Sequence, residues 1–158
     1  MKRHKDLETL SFEHHDALVV ALRIKKGLQA KADLNTIVDY VLSVFHNHLQ
    51  HHFEQEEATL IAPLQTFTEA EQPVNQMIEE HQQFAELINK IQNKDGNMAD
   101  LLKEIAGLLE RHIRFEERTL FPLAERLIPK PKLAEIGEYL HQEHRPINKN
   151  WPDQFWKK

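Results

Sequence analysis

One nine-residue stretch occurs twice in this chain. Residues 52–60 read HFEQEEATL and residues 112–120 read HIRFEERTL, so both copies follow the pattern His-x-x-x-Glu-Glu-x-Thr-Leu. On a helix, positions i and i+4 lie on one face with Cβ atoms about 5–6 Å apart, which places each histidine beside its first glutamate. A nitrogen donor next to an oxygen donor suits a transition metal ion. Because the whole pattern is repeated, the two copies predict a metal site rather than surface ion pairs.

The composition indicates long helices and few loops. The 158 residues include only 4 Gly, and the 7 Pro lie mostly near apparent segment ends. This length suits one domain with a substantial core, so residues 1–158 are interpreted as one domain. Cysteine is absent, which excludes disulfides and thiolate metal sites. Histidine is the outlier, with 11 copies.

Charge and hydropathy argue against two classes of partner. The net charge is −5, and no cluster of Lys and Arg suggests a nucleic-acid partner. No run approaches the roughly 20 apolar residues that a membrane span requires, and the N-terminus leads into no apolar signal segment. We therefore expect a cytoplasmic protein without nucleic-acid or membrane partners, present as a monomer or a weak homodimer.

Apolar residues spaced three and four apart predict four long helices and a shorter fifth, at about residues 5–29, 34–61, 73–93, 98–128 and 132–144. The short connections favour an all-α fold, an up-down-up-down four-helix bundle over about residues 5–128. The additional C-terminal helix and an aromatic tail occupy about residues 131–158. We expect the tail to pack on the exterior of the bundle or to form a dimer contact through Trp151, Phe155 and Trp156.

Local signals mark the predicted helix ends. Asp33 and Asn97 are suitable N-caps, and the segment from Thr68 to Glu71 resembles a capping box. Pro63 is expected to end the second helix, and Pro122 is expected to kink the fourth.

Each half of the chain supplies one histidine on an apolar helix face and one His-x-x-x-Glu pair. In an antiparallel bundle these residues belong near the same end of the core. Without a bound cation, each unpaired ion facing that core would cost several kcal/mol. Four imidazoles and two carboxylates can hold two metal ions, with the carboxylates bridging. The predicted metal ligands are His14, His52, Glu56, His81, His112 and Glu116.

Two other histidines remain open as ligands. His15 lies at the edge of the apolar face on which His14 is central, so His14 is preferred. His48 shares a helix face with His52 and is either a reserve ligand or a polar residue one turn outside the core.

The C-terminal region offers a weaker metal pattern. Glu138-x-x-His141 is the single Glu-x-x-His pair of the chain, whereas a ferritin-like site needs this pair on two helices. A solvated helix face is the simpler interpretation of Glu138, His141 and His144.

Several stretches around the predicted ligands resemble the hemerythrin-like domains, which carry a His-His-Glu cation-binding signature. The resemblance covers about residues 10–124. It rests on SFEHHDAL at residues 11–18, HFEQEE at 52–57, EH at 80–81 and HIRFEERTLFP at 112–122. It implies a four-helix bundle around a non-haem di-iron centre.

The resemblance also assigns the ligands to the two ions. His14 and His52 would bind one iron, while His81 and His112 would bind the other. Both Glu56 and Glu116 would bridge the pair. Manganese or zinc could occupy the same ligands, and raw affinity favours zinc over iron.

The chain departs from the oxygen-carrying hemerythrins at two places. Those carriers have a fifth histidine one turn after the residue matching His81, where this chain has Ala85, which we expect on the same helix face as His81. Their acidic bridge is an Asp five residues after its histidine, whereas here it is a Glu at four. Both departures argue against reversible oxygen carriage.

Three functions remain open. The first is a non-enzymatic di-iron protein that binds or senses oxygen, nitric oxide or iron status. The second is a di-iron enzyme that reduces oxygen or peroxide, or repairs other metal centres. The third is a module that stores or delivers iron. No positioned Ser, Lys or Tyr supports a separate organic substrate pocket, which disfavours the enzyme.

Overall fold

The computed structural model describes residues 3–146 and 150–157, and every regular element in these two ranges is helical. Residues 1, 2, 147–149 and 158, which the domain and tail predictions include, lie outside the described residues. None of the described helices combines the length and apolarity that crossing a membrane requires. The α-helices are α1 (Glu8–Gln29), α2 (Leu34–Val44), α3 (Gln50–Leu64), α4 (Glu71–Gln92), α5 (Met98–Phe115), α6 (Phe121–Leu127) and α7 (Lys130–Glu143).

Two π-helical turns join α-helices that the sequence predicts as single long elements. Phe45–Leu49 connects α2 to α3, and Glu116–Leu120 connects α5 to α6. A π turn inserts one extra residue, so it changes the register in which all later side chains face the core. Such turns are frequent at functional sites, and each of these two adjoins or overlaps a copy of the repeated motif.

The predicted caps are partly correct. The side chains of Asp33 and Asn97 accept backbone N–H bonds two and three residues ahead, each at 3.0 Å, which confirms both N-caps. The capping box is wrong. A 3-10 turn occupies Thr68–Ala70, and Ala70 precedes α4 without a side-chain cap. The N–H groups of Ala70 and Glu71 instead bond to the backbone carbonyls of Phe67 and Thr68.

Neither of the two prolines lies in the middle of an α-helix. Pro63 does not end its helix, because α3 continues to Leu64. Proline has no N–H to bond to the carbonyl four residues earlier, and only one residue of the helix follows it here. Pro122 lies in the first turn of α6, directly after a π turn. Its missing N–H therefore falls where the hydrogen-bond pattern already changes from π to α.

A buried polar layer separates two apolar cores. The larger core joins the helices from α1 to α5 and includes Ala17, Leu49, Phe84 and Leu109. The smaller core includes Leu10, Leu60, Met77 and Leu120, one from each of the four long helical segments. Along each of these segments, the predicted metal ligands fall between a residue of one core and a residue of the other. The helices thus fix the depth of the polar layer by packing above and below it.

The aromatic tail folds back onto the larger core. Phe155 is buried within that core and approaches Gly27, so the expectation of a purely exterior tail is wrong for this residue. Trp151 is partly buried and packs against the core, and Arg23 lies 4.0 Å from the Trp156 ring centroid. Glycine at position 27 leaves room for the Phe155 ring, which a Cβ there would meet at 2.6 Å.

Candidate metal centre

All six predicted ligand residues meet in one buried cluster, called here the central cluster. Its members form two overlapping groups that share Glu56 and Glu116. In each group, one nitrogen or oxygen atom per residue lies within 4.8 Å of the others. Every one of these side chains is buried. One group adds His14 and His52 to the shared glutamates, and the other adds His81 and His112.

The two shared glutamates lie between the histidine pairs. Oε2 of Glu56 is 3.1 Å from Nε2 of both His14 and His52, and Oε1 is 3.0 Å from Nε2 of His81. Oε1 of Glu116 is 2.9 Å from Nε2 of His14 and 3.2 Å from Nε2 of His112. Each carboxylate therefore reaches both pairs, which is the placement that a bridging ligand requires.

Four atoms of the central cluster that could bind a metal lack hydrogen bonds to the residues that the structure describes. They are Nε2 of His52, Nε2 of His112 and both carboxylate oxygens of Glu116. The two nitrogens lie 3.1 and 3.2 Å from a carboxylate oxygen, but not in hydrogen-bond alignment. Orphaned buried polar atoms are costly. A cation bound among them would satisfy all four, so the residues present fit a metal ion.

Each histidine of the central cluster also has a glutamate partner on its other ring nitrogen. A carboxylate accepts only, so Nδ1 donates its proton to this bond, and Nε2 offers its lone pair to a metal once its own proton is lost. These four partners are called here the outer glutamates. Glu117 accepts from His14 at 2.8 Å. At 2.7 Å, Glu13 accepts from His52, Glu57 from His81 and Glu80 from His112.

The outer glutamates follow a repeat that the sequence interpretation did not assign to them. Glu13 and Glu80 each precede a histidine of the central cluster and bond to the histidine of the following motif. Glu57 and Glu117 each follow a shared glutamate and bond to a histidine of the other half. The signal was present in the sequence, because both halves contain the dipeptides Glu-His and Glu-Glu at matching positions.

Protonation balances charge in the metal-free cluster. Burial lowers the pKa of His52, but the charge of Glu56 and the hydrogen bonds to Glu13 and Glu56 outweigh it and raise that pKa to about 9. Similar bonds overcome burial and hold the pKa of His14 and His112 well above 6.5. Burial raises the pKa of Glu56, but His52 and its other neighbours bring it well below 4.5. Imidazolium ions thus take the place of cations, and a metal must displace those protons.

Aromatic rings hold the histidines from the apolar side. Phe121 stacks on His14 with centroids 5.1 Å apart, and Phe53 stacks on His81 at 4.4 Å. Phe84 is fully buried and lies edge-on to His112 at 5.4 Å. These contacts limit rotation of the imidazoles and exclude water from that side of the cluster.

The structure separates the alternative histidines. His15 is exposed whereas His14 is 2 % exposed, and His48 is half-buried and belongs to neither group. Burial and the Arg145 charge lower the pKa of His48. His141 is exposed, as a solvated face predicts. His144 is exposed as well, but its Nδ1 also lies 2.8 Å from Oε2 of the buried Glu13, a contact that the solvated-face interpretation did not include.

Residue 85 does not occupy the position expected from spacing. Ala85 is exposed, although it lies one turn after His81, and Phe84 is the buried residue beside the cluster. The absence of a histidine at position 85 stands, but the shared face with His81 is corrected. A side chain added at residue 85 starts from the solvent side of α4.

Comparison with known proteins agrees with the resemblance inferred from the sequence. The family model described as the Hemerythrin HHE cation binding domain matches residues 5–124. No significant match was found among curated proteins or solved structures.

Proposed function

Because the chain belongs to the Hemerythrin HHE cation binding domain family, we propose that its central cluster holds two iron ions and binds oxygen or nitric oxide in a sensing or scavenging role. The observation that carries the proposal is the pair of overlapping ligand groups sharing Glu56 and Glu116. His14 and His52 would hold one ion, and His81 and His112 the other. Manganese or zinc would fit the same ligands.

The donor count leaves room for an added ligand. Each group offers two imidazole nitrogens and two carboxylates, which is four protein donors for one ion. Iron centres with two histidines, a carboxylate and open positions are typical of oxygen-reactive non-haem sites. When bound, the two ions would supply those open positions and exchange electrons with a diatomic ligand.

The surrounding residues fix the cluster's geometry and charge. The outer glutamates orient the four histidines and increase the basicity of their Nε2 atoms. Together with Glu56 and Glu116 they bring six carboxylates to the site. The negative charge of these carboxylates stabilises a more highly charged metal ion, so the site favours the oxidised state. Easy oxidation supports a sensor or scavenger over a reversible oxygen carrier.

We also infer the up-down-up-down order of the bundle and its continuity with α7. Arg3 contacts Glu125, His14 contacts Glu117 and Lys25 contacts Glu110 at 2.6 Å, so the partners move backwards along the chain. This progression supports antiparallel first and fourth segments. Three residues of α7, including Leu133, are buried in the smaller core, which supports one domain that includes the C-terminal helix.

The test combines metal analysis with rapid mixing. Protein from iron-replete cells should contain two iron ions per chain. The anaerobic, reduced protein should change its optical spectrum on stopped-flow mixing with oxygen or nitric oxide. The variant Glu56→Ala should lose this response, while Glu54→Ala, which changes an exposed glutamate of the same helix, should keep it.

Three results would refute the proposal. Metal analysis that finds no iron in the purified protein would contradict the proposed di-iron centre. An oxygen adduct that releases oxygen intact through repeated cycles would indicate a carrier. Steady consumption of oxygen or peroxide with a reductant would indicate an enzyme.

A further inference from the structure

The two halves of the centre differ outside the outer glutamates, although the ligands repeat. Glu13 and Glu80 are equivalent by the repeat, and each gives one oxygen to a histidine. The other oxygen of Glu13 bonds to Nδ1 of His144 at 2.8 Å. The other oxygen of Glu80 bonds to the amide of Gln76 at 3.2 Å. Glu13 is therefore bonded to His144, which lies just after α7. Glu80 is instead bonded to a residue of its own helix, α4.

A second contact joins the C-terminal region to the same half. Nε2 of His51 lies 2.8 Å from the backbone carbonyl oxygen of Glu143, the last residue of α7. His51 directly precedes His52 on α3. The chain at the end of α7 thus bonds to His51, the residue before His52, and to Glu13, the hydrogen-bond partner of His52. Helix α7 lies beyond residues 5–124, so this attachment is not part of the matched family domain.

The N-terminal segment, defined here as residues 3–11, covers the partner of His14, the other histidine of that half. Glu117, the partner of His14, also accepts a hydrogen bond from Ser11 at 2.7 Å and forms an ion pair with Arg3 at 3.3 Å. Its equivalent by the repeat is Glu57. Among the described residues, Glu57 has one ion pair, with His81, and its side chain is 39 % exposed against 30 % for Glu117.

The less covered half opens onto a surface groove. A groove of about 660 Å³ runs along α4 and is lined by Glu71, Gln76, Glu79 and Glu80, among others. Glu80 is therefore both a wall of the groove and the partner of His112. Solvent in the groove can therefore contact Glu80, which is hydrogen-bonded to His112 of the second histidine pair.

From this asymmetry we propose that α7 and the N-terminal segment clamp the ion held by His14 and His52, so that the ion held by His81 and His112 exchanges first through the groove. His144 is the positioning residue of the clamp, because it fixes Glu13, which fixes His52. The proposal rests on the two-metal function proposed above. It predicts two kinetically different metal ions in one chemically symmetrical cluster.

The experiment is removal of iron from the anaerobic, ferrous protein by an excess of a coloured ferrous chelator. Wild-type protein should lose its iron in two phases of similar amplitude. His144→Ala should accelerate the slow phase about tenfold and leave the fast phase unchanged, since partners of metal-binding histidines typically change metal affinity by about 10–100-fold. Glu80→Ala should instead accelerate the fast phase.

Two further variants separate positioning from general destabilisation. His144→Asn retains an N–H group that can reach Glu13, so it should restore the slow phase. His141→Ala removes an exposed histidine in the last turn of α7, close in sequence to His144, and should change neither phase. A thermal melt of each apo variant shows whether it is folded.

The outcomes distinguish this proposal from the one on which it rests. Two bound irons that leave in a single phase, or a His144→Ala variant that changes neither phase or both equally, would overturn the clamp and leave the metal centre intact. Protein that binds no iron would overturn both.

Discussion

Glu117 lies 2.8 Å from Nδ1 of His14, and Glu57 stands in the same relation to His81 at 2.7 Å. Each glutamate directly follows a shared glutamate of the central cluster. One helix turn thus supplies both a candidate bridging carboxylate and the carboxylate that orients a histidine of the other half. The Glu-Glu dipeptide of the repeat has two distinct tasks, and the two halves of the chain depend on each other.

The first prediction concerns these orienting carboxylates. Glu117→Ala and Glu57→Ala should each weaken metal binding by about 10–100-fold, because the histidine loses the acceptor that sets its tautomer and orientation. A competition titration against a chelator of known affinity measures the change. Glu54→Ala, an exposed glutamate on α3, is the matched control. Unchanged affinity in both test variants would mean that the outer glutamates only pack beside the histidines.

The second prediction separates two adjacent histidines. His14→Ala should lower the metal content and alter the iron spectrum, because it removes a buried donor from the group that contains His52. His15→Ala should leave both unchanged, since His15 is exposed. Elemental analysis and an optical spectrum of the two purified variants check this. Loss of metal in His15→Ala alone would show that the first helix is rotated by about 100° from the described position.

The third prediction tests bridging by Glu56. Its two oxygens face different histidine pairs, at 3.1 and 3.0 Å, so its removal affects both ions. Glu56→Ala should reduce the metal content from two ions per chain toward one or none. Two full equivalents in that variant, counted by elemental analysis, would contradict the bridging role.

The fourth prediction concerns pH and stability in the metal-free protein. His52 has a folded-state pKa of about 9 against an ordinary value of 6.5, so its contribution is fully present below pH 6.5 and is lost as pH rises through about 9. The pKa of Glu56 lies well below 4.5, so its contribution is present above pH 4.5 and is lost at lower pH. The apo protein should therefore melt at a progressively lower temperature as pH rises from 6.5 to 9.

Metal should reverse this trend. Imidazole binds a metal only after losing its proton, so metal stabilisation grows as pH rises. Free metal at 100 times its dissociation constant would add about 2.7 kcal/mol to the free energy of unfolding. Melting temperatures of apo and loaded protein from pH 6 to 9 measure both trends. His52→Gln should flatten the apo trend and His46→Gln, at an exposed position, should not. Parallel curves for apo and loaded protein would contradict metal binding in the cluster.

The helices and the choice of the six candidate ligands were predictable because both depend on local patterns. Helical periodicity shows which side chains share a face, and His-x-x-x-Glu spacing is a property of one turn. The N-caps at Asp33 and Asn97 were equally local. The repeat added the argument that a local pattern cannot supply, because two matching copies imply a common site.

Contacts between helices could not be predicted in the same way. Periodicity does not say which carboxylate meets which histidine across the bundle, so the outer glutamates and the bond from His144 to Glu13 required the assembled fold. The π turns also escaped prediction, since one inserted residue leaves an apolar pattern nearly unchanged but rotates everything beyond it. Packing between helices also decides that Phe84, and not Ala85, is buried beside the cluster, and that Phe155 is buried in the larger core.

The sequence by itself therefore determined an all-helical chain with a duplicated His-x-x-x-Glu motif, because the spacing of donors along one helix is fixed by 3.6 residues per turn. The tertiary structure alone decided how the six donors and four outer glutamates interlock, and which half α7 and Arg3 cover. Those contacts join residues up to 131 positions apart, and their geometry depends on how the helices pack.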